Sequence, residues 1–335
     1  MEQIRKLGFP IAMVYGLVVR LRNYLYDIGI FKANTFETPT VCVGNLSVGG
    51  TGKTPMVEFL VSNLKETNKI AVLSRGYGRK SKGWVLAEPN TSVEELGDEP
   101  FQIFSKFPQI TVAVDADRSH GIRILEDTVS PDLILLDDAF QHRRVIASFS
   151  ILLTAYGSLY PDDQYLPVGN LRDHKNEARR ADVIVVTKCP ANLETMQQTK
   201  IKNRLKPNKN QLVLFSTLVY DPMVKGLEGQ FPLTALKDKK VVLVTGIANP
   251  GPLLYFLAEA GIAVEHLPYG DHHFFTASEI ELFNTKDLVL TTEKDYSRLQ
   301  GRVGKLYFLG IKHQFLSDGK AVLLNSISTF TKPGR

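Results

Sequence analysis

Cysteine is scarce: Cys42 and Cys189 stand far apart in 335 residues, outside any C-x-x-C pair. That excludes a disulfide framework and a cysteine-built zinc site, and it fits a reducing compartment. Long apolar runs are lacking too. LGFPIAMVYGLVV, Leu7 to Val19, is too short for a membrane span, which needs about 20 residues. RLRNYLYD follows it rather than a small-residue cleavage site, so it is not a secretion signal. Repeats and low-complexity tracts are absent. The charge balance is nearly even: a net charge of +5 is compatible with phosphates or an anionic membrane and does not call for nucleic acid.

What is present reads as a globular chain with ample core, 44% hydrophobic and 22% charged, and long enough for two domains. Short apolar runs (TVCVG, KIAVLS, ITVAV, DLILLD, FSILLT, DVIVVT) alternate with helical patterns, the mark of a doubly wound, mostly parallel α/β sheet. A second series starts at KKVVLVTG and predicts a smaller α/β domain. The stretch VYDPMVKGLEGQFPLTALKDKK, rich in Gly, Pro and Lys, places the boundary near residue 225. The expected organisation is a helix within 1–35, a main domain over 36–225 and a C-terminal domain over 226–335. In the helix, Ile11, Val14, Val18, Leu21 and Leu25 recur at helical spacing between Arg5, Lys6, Arg20 and Arg22. The pattern suits a helix docked on the core or one lying in a membrane interface.

GNLSVGGTGKTP, Gly44 to Pro55, follows the first strand. Its glycines let backbone N–H groups turn inward around phosphate oxygens, and the helix that follows aims its positive end at the anion. Ser47, Val48, Gly49, Gly50, Thr51 and Gly52 form the loop. Lys53 is the phosphate-reaching lysine and Thr54 the hydroxyl for Mg²⁺, so the ligand is a nucleoside triphosphate. Ser47 stands where the general loop has its first glycine. DLILLDDAFQHRR supplies Asp137 and Asp138, an acid pair at a strand end suited to Mg²⁺. VVTKCP has Pro190 where guanine readers carry an Asp, and no D-x-x-G follows the acid pair. ATP is therefore the expected nucleotide.

Further polar clusters suggest an acceptor site. SRGYGRK brings Arg75, Tyr77, Arg79 and Lys80 after the second strand. Asp98 in LGDEP suits either a helix cap or a base that takes a hydroxyl proton. YGDHHFF adds Asp271, His272 and His273; a histidine paired with a carboxylate across a cleft is an acid/base candidate.

Taken in order, GNLSVGGTGKTP, SRGYGRK, GDEP, LDDAFQHR, LPVGNLR, DHHFF and TEKD resemble the tetraacyldisaccharide 4′-kinase (lipid A 4′-kinase) family, from the N-terminal helix to about residue 300. Ser47 belongs to that family's own loop. The resemblance implies a P-loop kinase that uses ATP and Mg²⁺. It implies transfer of the γ-phosphoryl group to the 4′-hydroxyl of an acylated glucosamine disaccharide 1-phosphate, giving lipid IVA. It also implies a peripheral protein on the cytoplasmic face of the inner membrane, with no nucleic acid and no obligate protein partner. By motif, Lys53 and Thr54 bind phosphate and Mg²⁺ together with Asp137 and Asp138. Asp98 is the base, helped by a histidine of the DHH motif, His272 rather than His273. Arg75, Tyr77, Arg79, Gln141, His142 and Arg172 surround lipid or phosphates. Lys294 of TEKD is left without a role, and Ala139 replaces a usual glycine. The acylated acceptor favours the interfacial reading of the helix. The rival readings are a metal-chaperone GTPase and a non-catalytic, nucleotide-gated membrane-binding protein.

Overall fold

A computed structural model describes residues 8–331. Arg5 and Lys6, expected beside the N-terminal helix, lie outside the described residues. That helix is α1 (Phe9–Asp27), with Pro10 in its first turn, where the missing N–H costs no bond. It packs on the body through Ala12, Gly16, Val19 and Asn23. Ile11, Val14, Leu17, Val18 and Leu21 point outward, Leu17 being 68% exposed. Most of the apolar set read from the sequence is thus the outer face, with Leu25 half-buried.

The first half then runs β1 (Thr40–Asn45), α2 (Lys53–Leu64), β2 (Ile70–Ser74), β3 (Val85–Leu86), α3 (Val93–Leu96), α4 (Asp98–Lys106), β4 (Thr111–Val114), α5 (Arg118–Thr128), β5 (Leu133–Asp137), β6 (Phe149–Ala155), β7 (Val183–Thr187) and α6 (Thr195–Leu205). The second runs β8 (Leu212–Gly226), β9 (Gly229–Pro232), β10 (Val241–Thr245), α7 (Gly251–Glu259), β11 (Val264–Pro268), α8 (Ala277–Asn284), β12 (Val289–Thr292), α9 (Glu293–Leu299), β13 (Leu306–Phe315) and α10 (Gly319–Thr331).

All strands join one thirteen-stranded sheet, in the order β11-β10-β12-β13-β8-β7-β6-β1-β5-β2-β4-β3, with β9 on β8. The central strands β1, β2 and β5 are buried along their whole length because helices cover both faces of a parallel sheet. Side chains alternate between the faces. Val41 and Val43 meet Met56 and Leu60 of α2 and Ile103 of α4, while Cys42 meets Ile122 and Leu125 of α5 on the opposite side.

Two features join the halves. Leu212 to Phe215 of β8 pair parallel with β7, and Ser216 to Gly226 pair antiparallel with β13. The Gly-, Pro- and Lys-rich stretch read as a boundary therefore holds the end of β8 and all of β9. Its composition is loop-like; partner strands on both sides keep it extended. Second, α10 returns to the first half, where Leu323 and Ile327 are buried in the core that holds Val41 and Met56.

Candidate functional site

The phosphate loop spans residues 46–52, between the end of β1 and Lys53, the first residue of α2. Gly49 and Gly52 adopt φ of 110° and 88°, which side-chain-bearing residues rarely take. Neighbours fix the loop from every side. Asn45 Nδ2 donates to Thr51 Oγ1 at 2.9 Å, and Thr187 Oγ1 donates to the Thr51 carbonyl at 2.8 Å. The Val48 N–H donates to the Asn170 carbonyl at 2.7 Å, and the Arg172 N–H donates to the Leu46 carbonyl at 2.9 Å. LPVGNLR is thus the outer brace of the loop. Ser47 Oγ donates to Asp163 Oδ2 at 2.9 Å, a bond that a glycine there could not make.

His313 of β13, which no motif singled out, closes the base of the loop. Burial pushes its imidazole down to about 4, so it is neutral. Nε2–H donates to the Gly52 carbonyl at 2.9 Å, and Nδ1 accepts from Ser216 Oγ at 3.0 Å. A Cβ on Gly52 would stand 3.0 Å from Nε2.

Asp137 ends β5 and is buried. Burial, then the charges of Asp138 and Glu99, push its carboxyl up to about 6. Ser74 Oγ donates to Oδ2 at 3.1 Å, whereas Oδ1 is buried with no partner. Asp138 sits at φ 48°, a conformation that aspartate tolerates better than most residues. Burial works to raise its carboxyl, but Arg172, gripping both oxygens, and Lys53 hold it below the usual range. Lys53 Nζ lies 3.8 Å from Asp138 Oδ1. Ala139 is not among the residues with positive φ, so its methyl group strains nothing. An orphaned carboxylate oxygen beside a second acid offers oxygen donors of the kind that Mg²⁺ takes, and Thr54 adds a hydroxyl directly after Lys53. Among the described residues no cluster of three His, Cys, Asp or Glu could hold a metal by itself. Mg²⁺ characteristically takes the rest of its shell from phosphates and water.

The other cluster lies across the halves. Asp98, first residue of α4, is 4% exposed. Arg298 of α9 grips both of its oxygens, Nε to Oδ1 at 2.7 Å and Nη2 to Oδ2 at 2.6 Å. His272 Nδ1–H donates to Oδ2 at 2.6 Å. Lys294 Nζ donates to His272 Nε2 at 3.0 Å and to Asp271 Oδ1 at 2.9 Å. His272 itself stands at φ 60°. Tyr77 lays its ring edge-on to the imidazole at 5.8 Å. Gly97 (φ 88°) lets the SRGYGRK loop sit on the GDEP turn: a Cβ there would stand 2.8 Å from the Tyr77 carbonyl. His273 belongs elsewhere. Its Nε2 meets Glu279 at 3.0 Å and its ring stacks on Tyr269.

The remaining predicted residues divide. Arg75 and Tyr77 are exposed. Arg79 turns back to Ser81 Oγ at 3.2 Å and the Gly83 carbonyl, bracing its own loop. Gln141 Nε2 donates to the Asn45 carbonyl at 2.7 Å, and Arg172 Nη2 donates to Asn45 Oδ1 at 2.6 Å, so both support the phosphate loop. His142 is pushed down to about 4, first by burial and then by the charge of Arg118. Sequence reasoning missed Arg298 and His313. The spacing Lys294–Arg298 on one face of α9 was the available signal for Arg298. Helix α1 reaches this region as well. Tyr15 OH donates to the Arg172 carbonyl at 3.0 Å, Arg22 to the Gln141 carbonyl, and Asn23 Nδ2 to Asp173 Oδ1 at 2.7 Å. Arg22, expected to flank a membrane face, is thus turned inward.

A braced phosphate loop with an acid pair at the neighbouring strand end, in a chain that also pairs a buried carboxylate with a histidine, defines a P-loop phosphotransferase. The family described as tetraacyldisaccharide-1-P 4′-kinase matches residues 4–328. The tetraacyldisaccharide 4′-kinase of Flavobacterium johnsoniae is 46% identical over 323 residues, covering 95% of this chain and 94% of the relative. That of Flavobacterium psychrophilum is 43% identical over 345 residues, covering both chains fully. The solved LpxK of Aquifex aeolicus, in complex with ATP, superposes with a TM-score of 0.79 at 31% identity, covering 97% of this chain and 99% of that one. The chain belongs to the tetraacyldisaccharide-1-P 4′-kinase family. It is an ATP-dependent kinase of lipid A biosynthesis that phosphorylates the 4′-hydroxyl, and Mg²⁺ is its metal.

Proposed function

We propose that this chain takes its acceptor, a tetraacylated glucosamine disaccharide 1-phosphate, from a membrane surface and phosphorylates it with the Asp98–His272 pair as the base. The observation that carries the base assignment is the 2.6 Å hydrogen bond from His272 Nδ1–H to a buried carboxylate held from behind by Arg298. Asp98 is buried and held on both oxygens by Arg298 and His272, whereas His272 Nε2 meets only the exchangeable ammonium of Lys294; the proton's landing place is Nε2 once the acceptor hydroxyl displaces that lysine, with Asp98 steadying the imidazolium that forms. The 4′-oxygen attacks the γ-phosphorus, its O–H bond breaks toward Nε2, and the bond from phosphorus to the β,γ-bridging oxygen breaks, releasing ADP. Lys53 and the loop N–H groups hold the phosphates. Asp137, Asp138 and Thr54 are the ligands offered to Mg²⁺, which when bound supplies charge neutralisation. Arg172 orients Asp138 for that task.

No described helix is long and apolar enough to cross a membrane. The outer face of α1 (Ile11, Val14, Leu17, Val18 and Leu21) is the surface we assign to the lipid interface, on the cytoplasmic side of the inner membrane. Leu17→Glu with Leu21→Glu is the clean probe. Deleting the helix would also remove Tyr15 and Arg22 from Arg172 and Gln141. The double variant is expected to lose flotation with anionic liposomes yet keep turnover on acceptor in detergent micelles. Unchanged flotation refutes the membrane assignment.

The function itself is tested with γ-labelled ATP, Mg²⁺ and tetraacyl disaccharide 1-phosphate in micelles, with GTP and acceptor-free arms. Label on the lipid with ATP is expected. Label released as free phosphate regardless of lipid, or faster with GTP, overturns the kinase reading. His272→Ala is expected to lower turnover by about 10²–10⁴-fold, the usual worth of a positioned base.

A further inference from the structure

We propose that Lys294 is a positioning residue. It holds His272 as the neutral tautomer, with the proton on Nδ1 and the lone pair on Nε2, and caps that lone pair until the acceptor hydroxyl takes its place. This rests on the reading of His272 as the proton acceptor.

The nearest charged group differs between the two ring nitrogens, and the Asp271 carboxylate stands farther back, its Oδ2 3.8 Å from Nε2. Asp98 lies on Nδ1 at 2.6 Å and Lys294 on Nε2 at 3.0 Å. A carboxylate by itself stabilises the doubly protonated ring, and an imidazolium cannot accept a proton. An ammonium at 3.0 Å opposes that charge and can only donate, so Nε2 must carry the lone pair. Lysine suits the task because it has three donors and no acceptor. Asp271 Oδ1, at 2.9 Å, takes a second of those protons and keeps the ammonium in place.

The groups that face the ring come from four elements. Asp98 comes from α4; Lys294 and Arg298 come from α9; Asp271 comes from the ring's own loop; and the Tyr77 ring comes from the SRGYGRK loop. Arg298 acts on Asp98, not on the imidazole. Lys294 is therefore the cation whose removal changes the ring's own charge state. The imidazole is 30% exposed, and Lys294 stands at Nε2. An incoming hydroxyl must displace the ammonium, which stays tethered to Asp271. The proton then goes from the hydroxyl oxygen to Nε2, and no other reactant is needed.

The primary test needs neither nucleotide nor lipid. The full-length protein is labelled with ¹⁵N-histidine, and the His272 nitrogens are assigned with a His272→Gln control. At neutral pH the parent protein is expected to show one protonated and one unprotonated ring nitrogen. Lys294→Met is expected to show both nitrogens protonated. Lys294→Arg, which keeps a cationic donor, is expected to restore the parent pattern. In turnover, Lys294→Met should lose activity while Lys294→Arg keeps most of it. KM for ATP should stay within about two-fold. An unchanged nitrogen pattern in Lys294→Met refutes the proposal. So does a Lys294→Arg variant whose nitrogen pattern matches that of Lys294→Met. If Lys294→Met does not fold, Lys294→Gln, which removes the charge but keeps a neutral donor of similar reach, is expected to show Nε2 partly protonated and turnover between those of the parent and Lys294→Met. A Gln variant matching the parent in both readouts also refutes it. If His272→Ala keeps near-normal turnover, the base assignment fails instead, a result separable from the nitrogen pattern.

Discussion

Replacing Arg298 with Met is the sharpest test of how the two halves are held together. The Arg298 and Asp98 side chains are each 5% exposed and are joined by two hydrogen bonds of 2.7 and 2.6 Å. Removing one partner of such a buried pair costs about 3–5 kcal/mol, because the other charge is left uncompensated. The guanidinium also lies 4.4 Å above the Phe274 ring, an interaction worth about 0.5–1 kcal/mol. Its third contact is the His273 carbonyl. His272 continues to satisfy one Asp98 oxygen, which offsets part of the loss. The net expectation is about 4 kcal/mol, read as the change in unfolding free energy from urea titrations followed by circular dichroism. The companion is Asp98→Leu with Arg298→Met. An apolar pair of similar volume removes the stranded charge, so the double variant should recover to within about 2 kcal/mol of the parent while remaining inactive. If Arg298→Met costs less than about 1 kcal/mol, the value of an exposed pair, the reasoning fails. It fails equally if the double variant is no more stable than the two single losses added together.

Gly52→Ala places a methyl group at φ 88° and 3.0 Å from His313 Nε2, so ATP affinity measured by calorimetry should fall at least about ten-fold, some 1.4 kcal/mol. Comparable affinity would mean that the loop is not braced as described. His313 is held down to about 4 when folded, against 6.5 when free. The unfolded chain therefore takes up its proton first, and the stability is fully present above pH 6.5. It is lost progressively between 6.5 and 4, by up to about 3 kcal/mol. His313→Gln should flatten that slope in urea titrations at several pH values; His142, pushed the same way, keeps part of it. Ser47→Gly removes only the bond to Asp163 and should cost about 1 kcal/mol, with ATP binding nearly intact. A loss of binding as large as that of Gly52→Ala would contradict the role given to Ser47.

The elements that local pattern specifies were legible in the sequence. Runs such as TVCV and LILL have no polar face and must be buried on both sides, so the parallel sheet follows from them. The phosphate loop and the acid pair were legible because one short segment carries each. β8 was not. Its Gly- and Pro-containing second half resembles a loop, and its strand conformation depends on β13, far along the chain. His313 and Arg298 were hidden for the same reason. Each acts on a residue some two hundred positions or more away, and sequence spacing carries no signal for such a contact. Asp98 and His272 were both named from their motifs. The structure adds how they are shared: Arg298 saturates the carboxylate, and Lys294, left without a role, stands on the histidine.

The return of α10 to the first half bears on how the protein is made. Leu323 and Ile327 complete the core around Val41 and Met56, among the earliest buried residues to be synthesised. The second half of β8 waits for β13, about eighty residues later, roughly 4–16 s at ordinary rates of synthesis. Until then β8 presents an open strand edge, and the phosphate loop lacks the histidine beneath it. Helix α1 meanwhile has left the ribosome with its apolar face uncovered. The phosphate loop and the core beneath it are therefore completed from the far half of the chain, by His313 of β13 and by Leu323 and Ile327 of α10.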